Sequence, residues 1–178
     1  MTRIKRNLSK TEWRKVAVTA LTALLLLCLY CVIFGFSAQD AEQSGGLSSA
    51  ISKFCVEMVN SMKGHSWSGE EVNFWAAYFE KPIRKLAHFG EYAVMGLLIY
   101  TMLRQWKKNS IRLFLLITLW VFLSAAGDEF YQYFVPGRYA SPLDVLLDTG
   151  GGMAGMVFCI MIEKIYHHWR RVYQDNIM

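Results

Sequence analysis

Residues 16–36 read VAVTALTALLLLCLYCVIFGF. No charge interrupts this run, and at about 1.5 Å of rise per residue a helix over it crosses a hydrocarbon core of about 30 Å. Three further apolar stretches, about 83–103, 111–134 and 143–162, repeat the pattern with only a few charged residues in each. In a chain of 178 residues that is 54% hydrophobic and 15% aromatic, apolar material gathered into such blocks predicts an all-α integral membrane protein, a four-transmembrane-helix bundle forming one domain over 1–178. Basic residues precede the first stretch and Ser37-Ala38 follows it, as in a signal peptide. Its apolar region is longer than the usual h-region and no A-x-A-like site follows, so it is expected to stay as an anchor.

Lys and Arg set the expected orientation. Arg3, Lys5, Arg6, Lys10, Arg14 and Lys15 precede the first span. Arg104, Lys107, Lys108 and Arg112 join the second to the third, and Lys164, Arg170 and Arg171 follow the fourth. All three sets fall on one side, against Glu12 and Asp175 with Glu163 at the border, which predicts that both termini are cytoplasmic. Much of the net charge of +5 is this topological signal. Basic residues scattered over flanks, with no dedicated basic domain, argue against nucleic acid as a partner.

Inside the apolar segments sit His88 and Glu91, Asp128 and Glu129, and Asp144 and Asp148. Ionisable groups in a bilayer are costly, and they persist where they face a bundle interior or a wet cavity. Measured from the cytoplasmic ends, Glu91, Asp128 and Asp148 lie at depths of about 20 to 24 Å, with His88, Glu129, Gln132 and Asp144 about a turn nearer the outer surface. Helical spacing puts His88, Glu91 and Tyr92 on one face, Asp128 and Gln132 on another, and Asp144 and Asp148 on a third. One polar pocket facing the extracytoplasmic side accounts for all three. The segment FVPGRYASP at 134–142 carries a Pro-Gly turn, which places Arg138 at the pocket mouth, open to carboxylates or to an anionic ligand. Gly151 and Gly155 form a G-x-x-x-G step that admits another helix closely.

Residues 37–82 form the one sizeable extracytoplasmic segment. Leu47, Ile51, Phe54, Cys55, Met58, Val59 and Met62 recur at helical spacing against Ser48, Ser52, Lys53, Glu57 and Asn60, the pattern of an amphipathic helix at the outer interface. Ser68 with Glu71 predicts a capping box that opens a second, short helix, and Pro82 suits the first turn of the second span. The two helices either cover the bundle or form a lid or lipid-entry rim beside the pocket. Cys28, Cys31 and Cys159 lie in apolar segments and Cys55 alone faces the oxidising side, so no extracytoplasmic disulfide is expected. The C-x-x-C of Cys28 and Cys31 is read as packing.

The runs RKLAHFGEYAVMG (84–96), DEFYQYFVPGRYASPLD (128–144) and DTGGGMAG (148–155), with FSAQ (36–39), resemble the VanZ-like family of bacterial membrane proteins. The resemblance covers roughly 36–155. Asp148 stands where that pattern often has Asn, which adds a carboxylate. The family is named for a protein associated with teicoplanin resistance, so the resemblance implies a cell-envelope role without supplying a reaction.

For the pocket, several readings stay open. His88, Glu91, Asp128 and Glu129 are the candidate catalytic groups, and Tyr92, Gln132, Arg138, Ser141, Asp144 and Asp148 the candidate ligand-binding set. Asp128, Glu129 and Asp144 offer hard oxygen ligands for a divalent cation, Mg²⁺ or Ca²⁺. The plainer alternative is a buried network in which His88 and Arg138 neutralise carboxylates and Gln132, Tyr92 and Tyr131 satisfy the rest. A membrane enzyme acting on an envelope lipid or its head group fits the acid-base set. A non-catalytic protein that binds a membrane lipid, a cell-envelope precursor or a glycopeptide antibiotic fits the same residues. Four short spans without a visible inverted repeat are few for alternating access by a transporter. Oligomeric state is left open by the sequence.

Overall fold

The structure is a computed structural model that describes residues 9–107 and 110–175, with the side chains of 41–44, 110 and 175 outside the description. Arg3, Lys5, Arg6 and Lys108 of the orientation argument lie outside the described residues. Five helices follow in order: α1 (Lys10–Ser37), α2 (Ala41–Met62), α3 (Gly69–Arg104), α4 (Ser110–Gln132) and α5 (Pro142–Asp175). All but α2 are long and apolar enough to cross a membrane, so the chain is an all-helical, multi-pass membrane protein.

Each of two helix starts is held by a reciprocal cap. At Ser68 the Glu71 amide donates to the serine hydroxyl at 3.3 Å, and the Ser68 amide donates to the Glu71 carboxylate at 2.7 Å, the box expected there. Ser9 and Glu12 repeat the device at the start of α1. The two boxes satisfy amides that otherwise have no partner in a first helical turn.

The helix opened by Ser68 does not stop before Pro82. It runs through to Arg104 with Pro82 in its interior, which corrects the expectation of a short helix followed by a separate span beginning at the proline. An interior proline removes one backbone hydrogen bond, a loss that tertiary packing can absorb in a membrane helix. Thirty-six residues give α3 a length of about 54 Å, well beyond the hydrocarbon thickness. Its N-terminal half pairs with α2. The Ser52 hydroxyl donates to the Ala76 carbonyl at 2.6 Å, and Asn60 exchanges hydrogen bonds with the Trp67 backbone.

This pairing settles which side of α2 turns inward. Ser48, Ser52, Val56 and Asn60 are buried, while Phe54 and Met62 are 64% and 82% exposed. Small and polar groups bond inward and the apolar face points outward, an arrangement that suits a helix bathed in lipid.

At the centre α3 packs on α5 more extensively than any other helix pair. A Cβ at Gly151 would overlap the Phe89 carbonyl oxygen, one at Gly155 the Ala93 carbonyl oxygen, and one at Gly96 the Gly152 carbonyl oxygen. The G-x-x-x-G step thus brings α5 backbone to backbone with α3. Around it Tyr92, Met95, Ile99, Ile117, Val121 and Met156 form the fully buried core. On the far side the Trp120 indole donates to the Tyr30 hydroxyl at 3.0 Å, joining α4 to α1.

Candidate polar site

Because Gly151 meets Phe89, Asp148 one turn earlier on α5 is carried to His88 on α3. His88 lies within electrostatic reach of Asp148 and of Asp128 on α4. The three acidic or imidazole-bearing stretches therefore meet. They border a cavity of about 370 Å³ to which His88, Glu129, Gln132, Arg138, Asp144 and Asp148 all contribute.

His88 Nδ1 is 3.3 Å from Glu91 Oε2, yet neither atom has a well-aligned hydrogen-bond partner among the described residues. Asp128 and Asp148 are buried to 0% and 3% exposure, and the Oδ1 atom of each has no hydrogen-bond partner among the described residues. An unpaired buried polar atom costs about 1 to 3 kcal/mol, and several around one cavity mark a place arranged for something other than stability.

The remaining carboxylates are committed. Asp128 Oδ2 accepts from Gln132 Nε2 at 3.0 Å, and the same amide reaches the Ser37 hydroxyl of α1 at 3.2 Å. Glu129 accepts the Ser141 amide at 2.7 Å, while the Ser141 hydroxyl accepts the Asp144 amide at the start of α5. Asp144 is ion-paired with Lys85 of α3. Among the described residues no three His, Cys, Asp or Glu side chains are gathered to hold a metal ion. Asp128, Glu129 and Asp144, the expected divalent-cation ligands, are turned instead to Gln132, Ser141 and Lys85, so they do not fit a shared cation.

Arg138 has a partner that its sequence position did not suggest. The Val135 carbonyl accepts the Arg138 amide at 3.2 Å across Pro136 and Gly137. Gly137 has φ of 76°, the positive value that a type II turn requires at its third residue. The turn aims the guanidinium at the end of α1, where Nη1 donates to the carbonyls of Phe36 and Ser37, each at 3.2 Å. Arg138 thus caps the C-terminus of α1, where free carbonyls and the helix dipole favour a cation. Burial draws it below its ordinary pKa, as does Arg84, while Asp128 and Glu129 oppose both.

Tyr92 and Ser141 do not line the cavity: Tyr92 is fully buried in the core and Ser141 is spent on Glu129. Glu91 opens onto an adjoining groove with Phe36, Leu47, Ile51, Ile83 and Ala87, which shares Arg84 and His88 with the cavity. Reasoning from sequence missed a basic rim of Lys81, Arg84 and Lys85. Arg84 Nη2 bonds Glu80 at 2.8 Å, and its buried Nε has no partner among the described residues. The available signal was spacing, since Lys81, Arg84, Lys85 and His88 fall on one helix face.

A family model described as VanZ/LLP1 matches residues 22–163. Neither a curated protein nor a solved structure matches the chain. The match spans most of the chain, from the middle of α1 into α5, with α2, α3 and α4 complete.

Proposed function

The chain belongs to the VanZ/LLP1 family, and on that premise we propose that it acts on the head group of an envelope lipid held in the outer-leaflet cavity. Membership makes it a membrane protein of a family associated with glycopeptide resistance. The lipid and the chemistry are our reading. So is the orientation, with both termini cytoplasmic and the cavity extracytoplasmic, which rests on the basic flanks.

One observation carries the reading: a buried oxygen of Asp148 and the Nδ1 of His88 have no well-aligned hydrogen-bond partner among the described residues, and both side chains line a cavity with a basic rim. A phosphate suits the cationic side chains of Lys81, Arg84 and Lys85 on the cavity rim. A hydroxyl, amine or water suits Asp148. His88, paired with Glu91, is then the general base or acid that moves a proton to or from that group. Asp128 is not in contact with the cavity and acts as a positioning charge on His88. The apolar groove that shares Arg84 and His88 accepts an acyl chain, which favours a lipid over a free head group.

The commitment of Glu129, Asp144 and Arg138 to protein partners favours a second reading, a non-catalytic protein that binds a lipid or a glycopeptide antibiotic. Purified protein in nanodiscs loaded with envelope lipid extract separates the two. For an enzyme, Glu91→Gln and His88→Gln lower turnover at least about a hundredfold while retention of the lipid stays within a few-fold. Turnover that falls only as far as binding falls supports the binder. Variants that keep both would overturn the site.

A further inference from the structure

A second cavity, about 690 Å³, opens at the other end of the bundle, where Tyr100 and Arg104 of α3 face the second half of α5. Arg104 lies sixteen positions after His88 on one continuous helix, about 24 Å away along its axis. The two cavities share no lining residue.

Its floor and rim differ in chemistry. Leu113 and Phe114 of α4 with Met156 and Ile160 of α5 make the floor. The rim carries Arg104, Glu163, Lys164, His167 and Arg171. Glu163 is the one acid there, and its charge is taken up locally. Arg104 holds it in a bidentate grip, Nη2 to Oε1 at 2.8 Å and Nε to Oε2 at 3.2 Å, and the Tyr100 hydroxyl donates to Oε2 at 2.5 Å. Lys164 and Arg171, one on either side of His167 along α5, have no acidic partner among the described residues. The rim therefore keeps a surplus of positive charge directly above an apolar floor.

We infer that this cavity binds one anionic phospholipid, with its phosphate between Lys164 and Arg171 and an acyl chain on Met156, Ile160 and Phe114. The order of the groups matches the order of chemistry in a leaflet, basic at the head-group level and apolar toward the bilayer centre. Basic pockets between membrane helices at a positively flanked end recognise such head groups. The neutralised Glu163 does not repel the phosphate and fixes Arg104 as one wall. Lys164 and Arg171 are exposed and reach a lipid from the side without any opening of the bundle.

Native mass spectrometry of the full chain, titrated with phosphatidylglycerol or phosphatidylcholine, tests this. The wild type is expected to retain phosphatidylglycerol preferentially. The double variant Lys164→Gln/Arg171→Gln is expected to lose about thirtyfold in affinity for it. Lys10→Gln/Arg170→Gln removes the same charge from the same end outside the cavity and is expected to stay within about threefold, as screened charges at a distance do. Equal losses in the two double variants would mean diffuse attraction and overturn the site. Ile160→Trp, which keeps every charge and fills the floor, is expected to lower affinity as well. Unchanged binding there overturns the acyl contact. Full displacement of the lipid by inorganic phosphate assigns the cavity to a free anion and overturns the lipid.

Discussion

Gly155 of α5 sits so close to Ala93 of α3 that a Cβ on the glycine would overlap the alanine carbonyl oxygen. Gly151 makes the same approach to Phe89 one turn earlier, and this pair of contacts sets the spacing of the helices that carry His88 and Asp148. The obstacle at each glycine is backbone, so no side-chain rotation relieves it. Gly155→Val is expected to push α5 away and cost about 3 kcal/mol or more, since overpacking at a rigid contact is poorly absorbed. Thermal unfolding in detergent reads the loss. Gly150→Ala is the control, because a Cβ there meets nothing nearer than 4.0 Å, and it should unfold within a degree or two of the wild type.

A different prediction concerns Arg138, whose guanidinium serves carbonyls at the end of α1. Arg138→Gln removes the charge that meets those acceptors and is expected to lower stability by about 1 to 2 kcal/mol. Lipid retention in the folded fraction should change little, because Lys81, Arg84 and Lys85 form the rim on another element. A variant of full stability that loses lipid would show instead that Arg138 belongs to the ligand.

Lys85 and Asp144 tie α3 to the first turn of α5 at the cavity edge. The lysine side chain is 52% exposed, so the pair is expected to contribute only about 0.5 to 1 kcal/mol. A double-mutant cycle with Lys85→Gln and Asp144→Asn measures this by unfolding, and raised salt should shrink the coupling. A coupling near zero would leave Asp144 as a cavity group without a structural role.

Most of the fold could be read from the chain because lipid imposes long apolar runs and because helical spacing puts polar groups on shared faces. The Ser68 box and the glycine step were equally local signals. Pro82 lies inside α3 and not at the start of a span, for a physical reason. Whether a helix continues through proline depends on what packs around it, and the pairing of α2 with the N-terminal half of α3 is not encoded near residue 82. The same limit hid the pairing of Lys85 with a residue 59 positions away and the use of Arg138 as a cap on α1. Spacing puts Ser48 and Ser52 opposite the apolar face of α2 without saying which face packs, and in a helix with lipid on one side the polar stripe is the side that packs.

Asp148 separates a site from a structural network most directly. It is buried, its Oδ1 has no partner among the described residues, and Asp128, Glu129 and Asp144 lie within electrostatic reach. A network kept for stability would have paired it. Asp148→Asn keeps the shape and removes a carboxylate from a crowded acidic surrounding, so stability is expected to hold or to rise by about 1 kcal/mol. Turnover or binding of the envelope lipid should fall at least about tenfold at the same time. Asp148→Ala should lower function as far while leaving a small void. Unfolding curves and lipid assays on the same preparations check both. If Asp148→Asn instead unfolds earlier with unchanged lipid handling, the carboxylate is holding the helices together, and the ligand must be sought in the neighbouring groove beside Glu91.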